Sequence, residues 1–135
     1  MNPLRLSLKK AEILRGYRVF SRVIAEGRSF QRGVVRCFVV RDARQNVSLR
    51  VGFSVSRGIR NAADRNRARR WMKESYRKNK TLLAAELLPP TQTVMLVFLC
   101  TAHPRSVHNA AAHSPVEQSI IALLKELHSQ FAGKP

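Results

Sequence analysis

The sequence predicts an α/β domain of the α+β type, a two-layer sandwich of helices on a mostly antiparallel sheet. Three observations carry that reading. Residues 47–55 alternate strictly, with Val47, Leu49, Val51, Phe53 and Val55 on one side and Ser48, Arg50, Gly52 and Ser54 on the other, which is a strand with one buried face. Thr93–Cys100 is apolar almost throughout and too short for a packed helix, as expected of a central strand covered on both faces. Three other stretches repeat their apolar residues every three or four positions, the period of an amphipathic helix. The element order is α-β-β-α-β-α with room for one extra short strand, in a single domain over residues 1–135.

The first helix is expected from about Lys9 to Ala25, where Ile13, Leu14, Tyr17, Phe20, Val23 and Ile24 form the stripe, with Gly27 ending it. Val34–Val40 follows as a β-branched strand, and the polar stretch Arg41–Asn46 then reads as the loop of a hairpin with the alternating strand. From Ala62 to about Leu83 the period becomes helical. Ala68, Trp71, Met72 and Ser75 fall on one arc, and Arg65, Asn66, Arg69, Arg70, Lys73, Arg77 and Lys80 on the next. Pro89 and Pro90 make Glu86–Thr91 a connector, because neither can continue a helix. In the last helix Ser114-Pro115-Val116-Glu117 is a capping box with proline at the first helical position, and Val116, Ile120, Leu123, Leu124, Leu127 and Phe131 form the stripe.

Charge points to a partner. The chain carries 25 Lys and Arg against 8 acids, a formal net charge of +17. Residues 1–36 hold nine bases and two acids, residues 57–80 hold ten and two, and residues 81–135 balance at three and three. An excess confined to two segments marks a binding face for a polyanion rather than a uniform solubilising surface. Arg outnumbers Lys 18 to 7, which favours forked contacts to phosphates and stacking on bases. In the densest stretch, Arg65-Asn66-Arg67-Ala68-Arg69-Arg70, neighbouring cations at helical spacing stand about 5–6 Å apart, close to a phosphate repeat. Asn66 adds a donor and an acceptor able to meet a 2′-hydroxyl or a base edge.

Arg50–Arg77 resembles the signature of the protein subunit of bacterial ribonuclease P, carried by Gly52, Val55 and Ser56, then Ala62, then Arg65, Asn66, Arg67, Arg69 and Arg70. Leu8-Lys9-Lys10 through Phe20, Val23 and Gly27 is similar to the opening helix of the same family. The resemblance implies a protein that assists a catalytic RNA in removing the 5′ leader from precursor tRNA, so that the holoenzyme is an endoribonuclease whose chemistry belongs to the RNA. It implies that Arg65, Asn66, Arg67, Arg69, Arg70 and Lys73, with Arg57 and Arg60 of the preceding loop, bind the catalytic RNA. It implies a leader cleft with Phe20, and with Ile24 where relatives carry a second aromatic. Ile24 has no π face, and Phe38 reads equally as a stacking surface on the sheet or as a core residue. The resemblance also implies a left-handed β-α-β crossover around the basic helix, against the usual hand. The loop Ser56-Arg57-Gly58-Ile59-Arg60 departs from the S-K-K-x-G common among relatives.

No residue is expected to be catalytic or to ligate a metal on the protein; Mg²⁺ is expected mainly on the RNA subunit, with its two-metal chemistry. Cys37 and Cys100 lie in apolar runs without CxxC spacing and read as buried reduced thiols. His103, His108 and His113 recur every five residues, a spacing that suits neither a helix face nor a strand face. The N-terminus shows no secretory pattern and Val94–Cys100 is too short to span a bilayer, so a cytoplasmic protein is expected, with no membrane partner and no small-molecule substrate. Two other readings use the same basic face: a ribosomal or other structured-RNA-binding protein without a linked reaction, and a DNA-binding domain with the Arg helix in a major groove.

Overall fold

The computed structural model describes residues 12–43, 48–83, 92–102 and 114–132. Its elements are α1 (Tyr17–Glu26), β1 (Arg28–Arg32), β2 (Val35–Ala43), β3 (Ser48–Val55), α2 (Ala62–Asn79) followed by a 3₁₀ turn (Lys80–Leu83), β4 (Gln92–Cys100) and α3 (Ser114–Ala132). The extra short strand is therefore β1. Of the Arg41–Asn46 stretch expected as a hairpin loop, Arg41, Asp42 and Ala43 belong to β2 instead, while residues 44–46, the Pro89-Pro90 connector and the His103, His108 and His113 segment lie outside the described residues.

The sheet runs β1-β2-β4-β3. This order overturns the expected hairpin between β2 and β3. Antiparallel β2 and parallel β3 each pair with β4, and the hairpin lies instead between β1 and β2. The reason is burial: Val94, Leu96, Val97 and Phe98 are fully enclosed, so β4 needs a strand on each side and a helix or loop over each face. The β1–β2 turn is made by Gly33 at φ +58, a left-handed conformation that costs a side chain. A Cβ there would also meet Ser119 Oγ, which accepts the Val34 N–H at 3.0 Å.

The register divides the sheet into two faces. Val35 and Cys37 of β2, Val51 and Val55 of β3, and Leu96 and Phe98 of β4 meet Met72 and Tyr76 of α2 and Ile120, Leu123, Leu124 and Leu127 of α3. Here Phe53, Tyr76 and Phe98 stand about one ring apart, with centroids 5.9–6.0 Å from each other. On the opposite face Phe38, Val40, Met95 and Val97 meet Leu14 and Val23. The layering of α2 and α3 on the sheet is as expected, and α1 adds a partial third layer.

α1 is shorter than its apolar stripe suggests. Gly16 at φ +103 precedes it, and Ile13 and Leu14 leave the helical pattern to run beside β3, where Ile13 forms a parallel bridge with Val51 and the Leu14 N–H donates to Val51 O at 2.8 Å. Gly27 ends the helix as expected, its N–H donating to Val23 O at 2.8 Å. α2 opens on a cap that the sequence reading overlooked: Asn61 Oδ1 accepts from the N–H groups of Ala63 at 2.8 Å and Asp64 at 3.2 Å.

Both cysteines are free and buried, as expected. Desolvation raises the Cys37 thiol far above its ordinary value of 9.0 and also raises Cys100. The folded state thus keeps protons that the unfolded state releases at alkaline pH, so these thiols lower stability as pH rises above the ordinary thiol value. The expected result is slow modification of both thiols by a soluble disulfide reagent under native conditions, becoming rapid in denaturant. Rapid native labelling of Cys37 would show that the β2 core is open.

Candidate nucleic-acid interface

The basic helix divides into two halves. In its C-terminal half the cations are paired: Arg77 Nε donates to Glu74 Oε1 at 3.1 Å, Lys78 Nζ lies 3.6 Å from Glu117 of α3, and Lys80 Nζ lies 2.9 Å from Glu12. The Arg77 hydrogen bond holds the Glu74 carboxyl below the usual carboxylate range. In the N-terminal half and the loop before it, Arg57, Arg60, Arg67, Arg70 and Lys73 are exposed and Arg69 is half-buried. Among the described residues none of these six forms an ion pair. Asn66 is exposed beside them, and its Oδ1 accepts from Arg69 Nη1 at 3.3 Å. Ala68, Met72 and Tyr76 anchor the opposite side of the helix in the core, which leaves Asn66, Arg70 and Lys73 on the outward face with Arg67 and Arg69 at its flanks.

Arg65 departs from the expected outward row. Its Nη1 donates to Ile59 O at 2.8 Å and Ser56 O at 3.1 Å, and its Nη2 to Val55 O at 3.3 Å. One guanidinium thus closes the loop between β3 and α2 on itself. The loop is further fixed by the Ser56 N–H donating to Cys100 O at 3.0 Å and by the buried Ile59 side chain. Arg57 and Arg60 therefore project from a pinned loop next to the exposed residues of α2.

On the α1 face of the sheet, Phe20 lies over Gly52, so close that a Cβ at residue 52 would meet the Phe20 ring at 2.4 Å. Past Phe20 the register puts Arg36 of β2, Leu99 of β4 and Ser54 of β3 in one half-exposed row, leading toward the Arg57–Arg60 loop. Arg36 Nη1 donates to Ser29 Oγ at 3.0 Å. Ile24 is 37% exposed and Tyr17, two turns away on the same flank of α1, is 83% exposed. Phe38 is only 9% exposed, beneath α1 with Val23 and Val97, so of its two readings the core residue holds and stacking does not. Replacing Gly52 with Val should push the Phe20 ring off the sheet, at a cost of about 1–3 kcal/mol. Thermal melts together with a Phe20 environment probed by NMR would check this; an unmoved ring would contradict the packing.

Against known proteins, the ribonuclease P family model matches residues 8–128. The chain belongs to the ribonuclease P protein family. Two relatives, each called ribonuclease P protein component, are from Clostridium novyi, 35% identical over 72 residues and 53% of this chain, and Pelotomaculum thermopropionicum, 38% identical over 74 residues and 54% of this chain. These matches span 64% and 63% of the relatives' own lengths, just under two thirds. In fold the chain is similar to the Thermotoga maritima RNase P protein, with TM-score 0.62 and 24% identity over 85% of this chain and 96% of that one. The Staphylococcus aureus RNase P protein gives TM-score 0.57 and 19% identity over 87% and 95%.

Within this member of the ribonuclease P family, Arg57, Arg60, Asn66, Arg67, Arg69, Arg70 and Lys73 come together on one surface, while Phe20 and Ile24 lie on the flank of α1. Three contributors were overlooked in the sequence. Tyr17 was counted in the buried stripe with Ile24, from which it is offset by only about 20° on a helical wheel, yet both are exposed. Arg36 interrupts the apolar run of β2 at the period of its partly open face, which was a legible signal. The inward turn of Arg65 was legible in part, since on a helical wheel it lies about 20° from both Met72 and Tyr76, but its backbone-carbonyl partners were not. Among the described residues no three His, Cys, Asp or Glu side chains gather to hold a metal, and no helix is long and apolar enough to cross a membrane.

Proposed function

We propose that this chain is the protein component of a ribonuclease P ribonucleoprotein, which removes the 5′ leader from precursor tRNA. Arg57, Arg60, Asn66, Arg67, Arg69, Arg70 and Lys73 bind the catalytic RNA. Phe20, with Tyr17 and Ile24 on the same flank and the Arg36–Leu99–Ser54 row as floor, holds the single-stranded leader. The observation that carries this reading is the set of six cations that form no ion pair among the described residues, on α2 and the loop before it, in a chain of this family.

The chemistry follows from what the side chains can do. Guanidinium groups held outward lower the repulsion between two RNA strands brought together, and so stabilise the complex of catalytic RNA and substrate without touching the scissile bond. The two-metal hydrolysis is assigned to ions held by RNA phosphates, which offer the oxygen ligands that Mg²⁺ takes. Arg65 positions the loop that bears Arg57 and Arg60 and is not itself counted as a phosphate donor.

The test is competition binding with labelled catalytic RNA, against unlabelled precursor tRNA and duplex DNA, across a salt series. Tight binding to the catalytic RNA with a steep salt slope, and weak displacement by duplex DNA, is the expected result. Preferential binding to duplex DNA would overturn the reading in favour of a major-groove domain.

A further inference from the structure

A second basic concavity lies at the other end of the sheet from the Arg57–Lys73 surface. β1 begins at Arg28, opposite Val39, so beyond Val39 the outer edge of β2 has no strand beside it. The notch left there has a volume of about 640 Å³ and a floor of Val39 and Val40. Arg22 and Glu26 of α1 overhang it, Arg28 and Arg41 flank it, and Gln130 of α3 closes it below. Among the described residues three guanidiniums thus face one carboxylate, and that carboxylate already accepts from Arg22 Nε at 3.2 Å.

Two of the three are prepared for an anion. Arg41 lies with its guanidinium carbon 4.4 Å from the centroid of the Phe131 ring, a cation–π contact that holds the fork in place while its edges stay exposed. Arg28 is exposed, and among the described residues it has no ion pair. The notch is half-open, and its described lining contains no aromatic ring set to clamp a base. Those features suit an extended, repeating anion better than a free nucleotide. Arg22 stands two residues from Phe20 on the other flank of α1, so a strand crossing α1 meets Phe20 first and the notch next.

Resting on the RNA-binding reading above, we infer that the Arg22–Arg28–Arg41 notch binds the phosphodiester backbone of single-stranded RNA, as a second anchor for a strand that has passed Phe20. Its occupant is a leader segment beyond the reach of the Phe20 flank. Only leaders long enough to arrive there gain from it.

The experiment measures holoenzyme affinity for precursor tRNA with a short and with a long leader, for wild type, R28A/R41A and R67A/R70A, over a salt series. R28A/R41A should lose roughly tenfold for the long leader, reduce the salt slope by about 1–2, and leave the short leader unchanged. Equal losses on both leaders, or none on either, would overturn the notch assignment. If R67A/R70A weakens catalytic-RNA binding while R28A/R41A behaves as wild type, the notch fails and the RNA-binding reading stands; if R67A/R70A is also unaffected, that reading fails first. Should loss of the Arg41–Phe131 contact unfold the double variant, R28A alone, whose side chain has no described partner, should show a smaller loss confined to the long leader. Inorganic phosphate is the control for a small-anion site: stabilisation of wild type but not of R28A/R41A by millimolar phosphate, with no leader-length effect, would contradict the inference.

Discussion

Replacing Arg67 and Arg70 together with alanine should weaken binding to the catalytic RNA at least about tenfold and reduce the salt slope by roughly 1–2, with no change in melting temperature. Both side chains are exposed, and among the described residues neither has an ion pair. Each charge-assisted contact to a phosphate contributes about 1.5 kcal/mol, and because the two residues lie one helical turn apart their losses will not simply add. The matched control is Arg77→Ala. Arg77 is already bonded to Glu74, so its guanidinium is engaged and its removal should alter RNA affinity less than removal of Arg67 or Arg70, even though it leaves the Glu74 carboxylate unneutralised. Filter binding over a salt series checks both. Equal effects for Arg77 and Arg67 would mean that pairing does not decide which cations reach RNA.

The opposite pattern is expected at Arg65. Arg65→Ala should destabilise the fold by about 2–3 kcal/mol and lower the melting temperature by roughly 6–12 °C. The substitution removes three hydrogen bonds from one charged group and leaves the carbonyls of Val55, Ser56 and Ile59 without it. Arg65→Lys should recover only part of the loss, since an ammonium cannot span the same three acceptors in a planar fork. RNA affinity should fall as well, but through the loop: amide exchange at residues 56–60 should accelerate in Arg65→Ala and stay unchanged in R67A/R70A. Calorimetry and hydrogen exchange separate the two roles. A fully stable Arg65→Ala with weakened RNA binding would return Arg65 to the outward row.

These three arginines show where the sequence was sufficient and where it was not. The helical period placed Ala68 and Met72 inward and Arg70 outward, while Arg67 was assigned to the RNA-binding set only by the family resemblance. Arg65 lies between Met72 and Tyr76 on the wheel, an inward placement that its charge concealed, and the carbonyls of the Ser56–Arg60 loop that receive it have no sequence signature. The pairing of Lys78 with Glu117 and Lys80 with Glu12 was equally hidden, because those acids come from distant segments.

The strands divide in the same way. Alternation identified the buried face of β3, and the unbroken apolar run identified β4 as an inner strand. The pairing of β2 with β3 was read from their closeness in sequence, although the need of Val94–Phe98 for neighbours on both edges outweighs a short connection. Similarly, Ile13 and Leu14 continue the α1 stripe by spacing, yet Gly16 releases them to pair with Val51.

The most direct test of the account is precursor-tRNA cleavage with this protein alone, the catalytic RNA alone and the two together, at an Mg²⁺ concentration limiting for the RNA. Accurate 5′ trimming that requires the RNA, is accelerated by the wild-type protein and loses that acceleration with R67A/R70A is the predicted result. Cleavage by the polypeptide without RNA, or acceleration that survives the loss of Arg67 and Arg70, would contradict it.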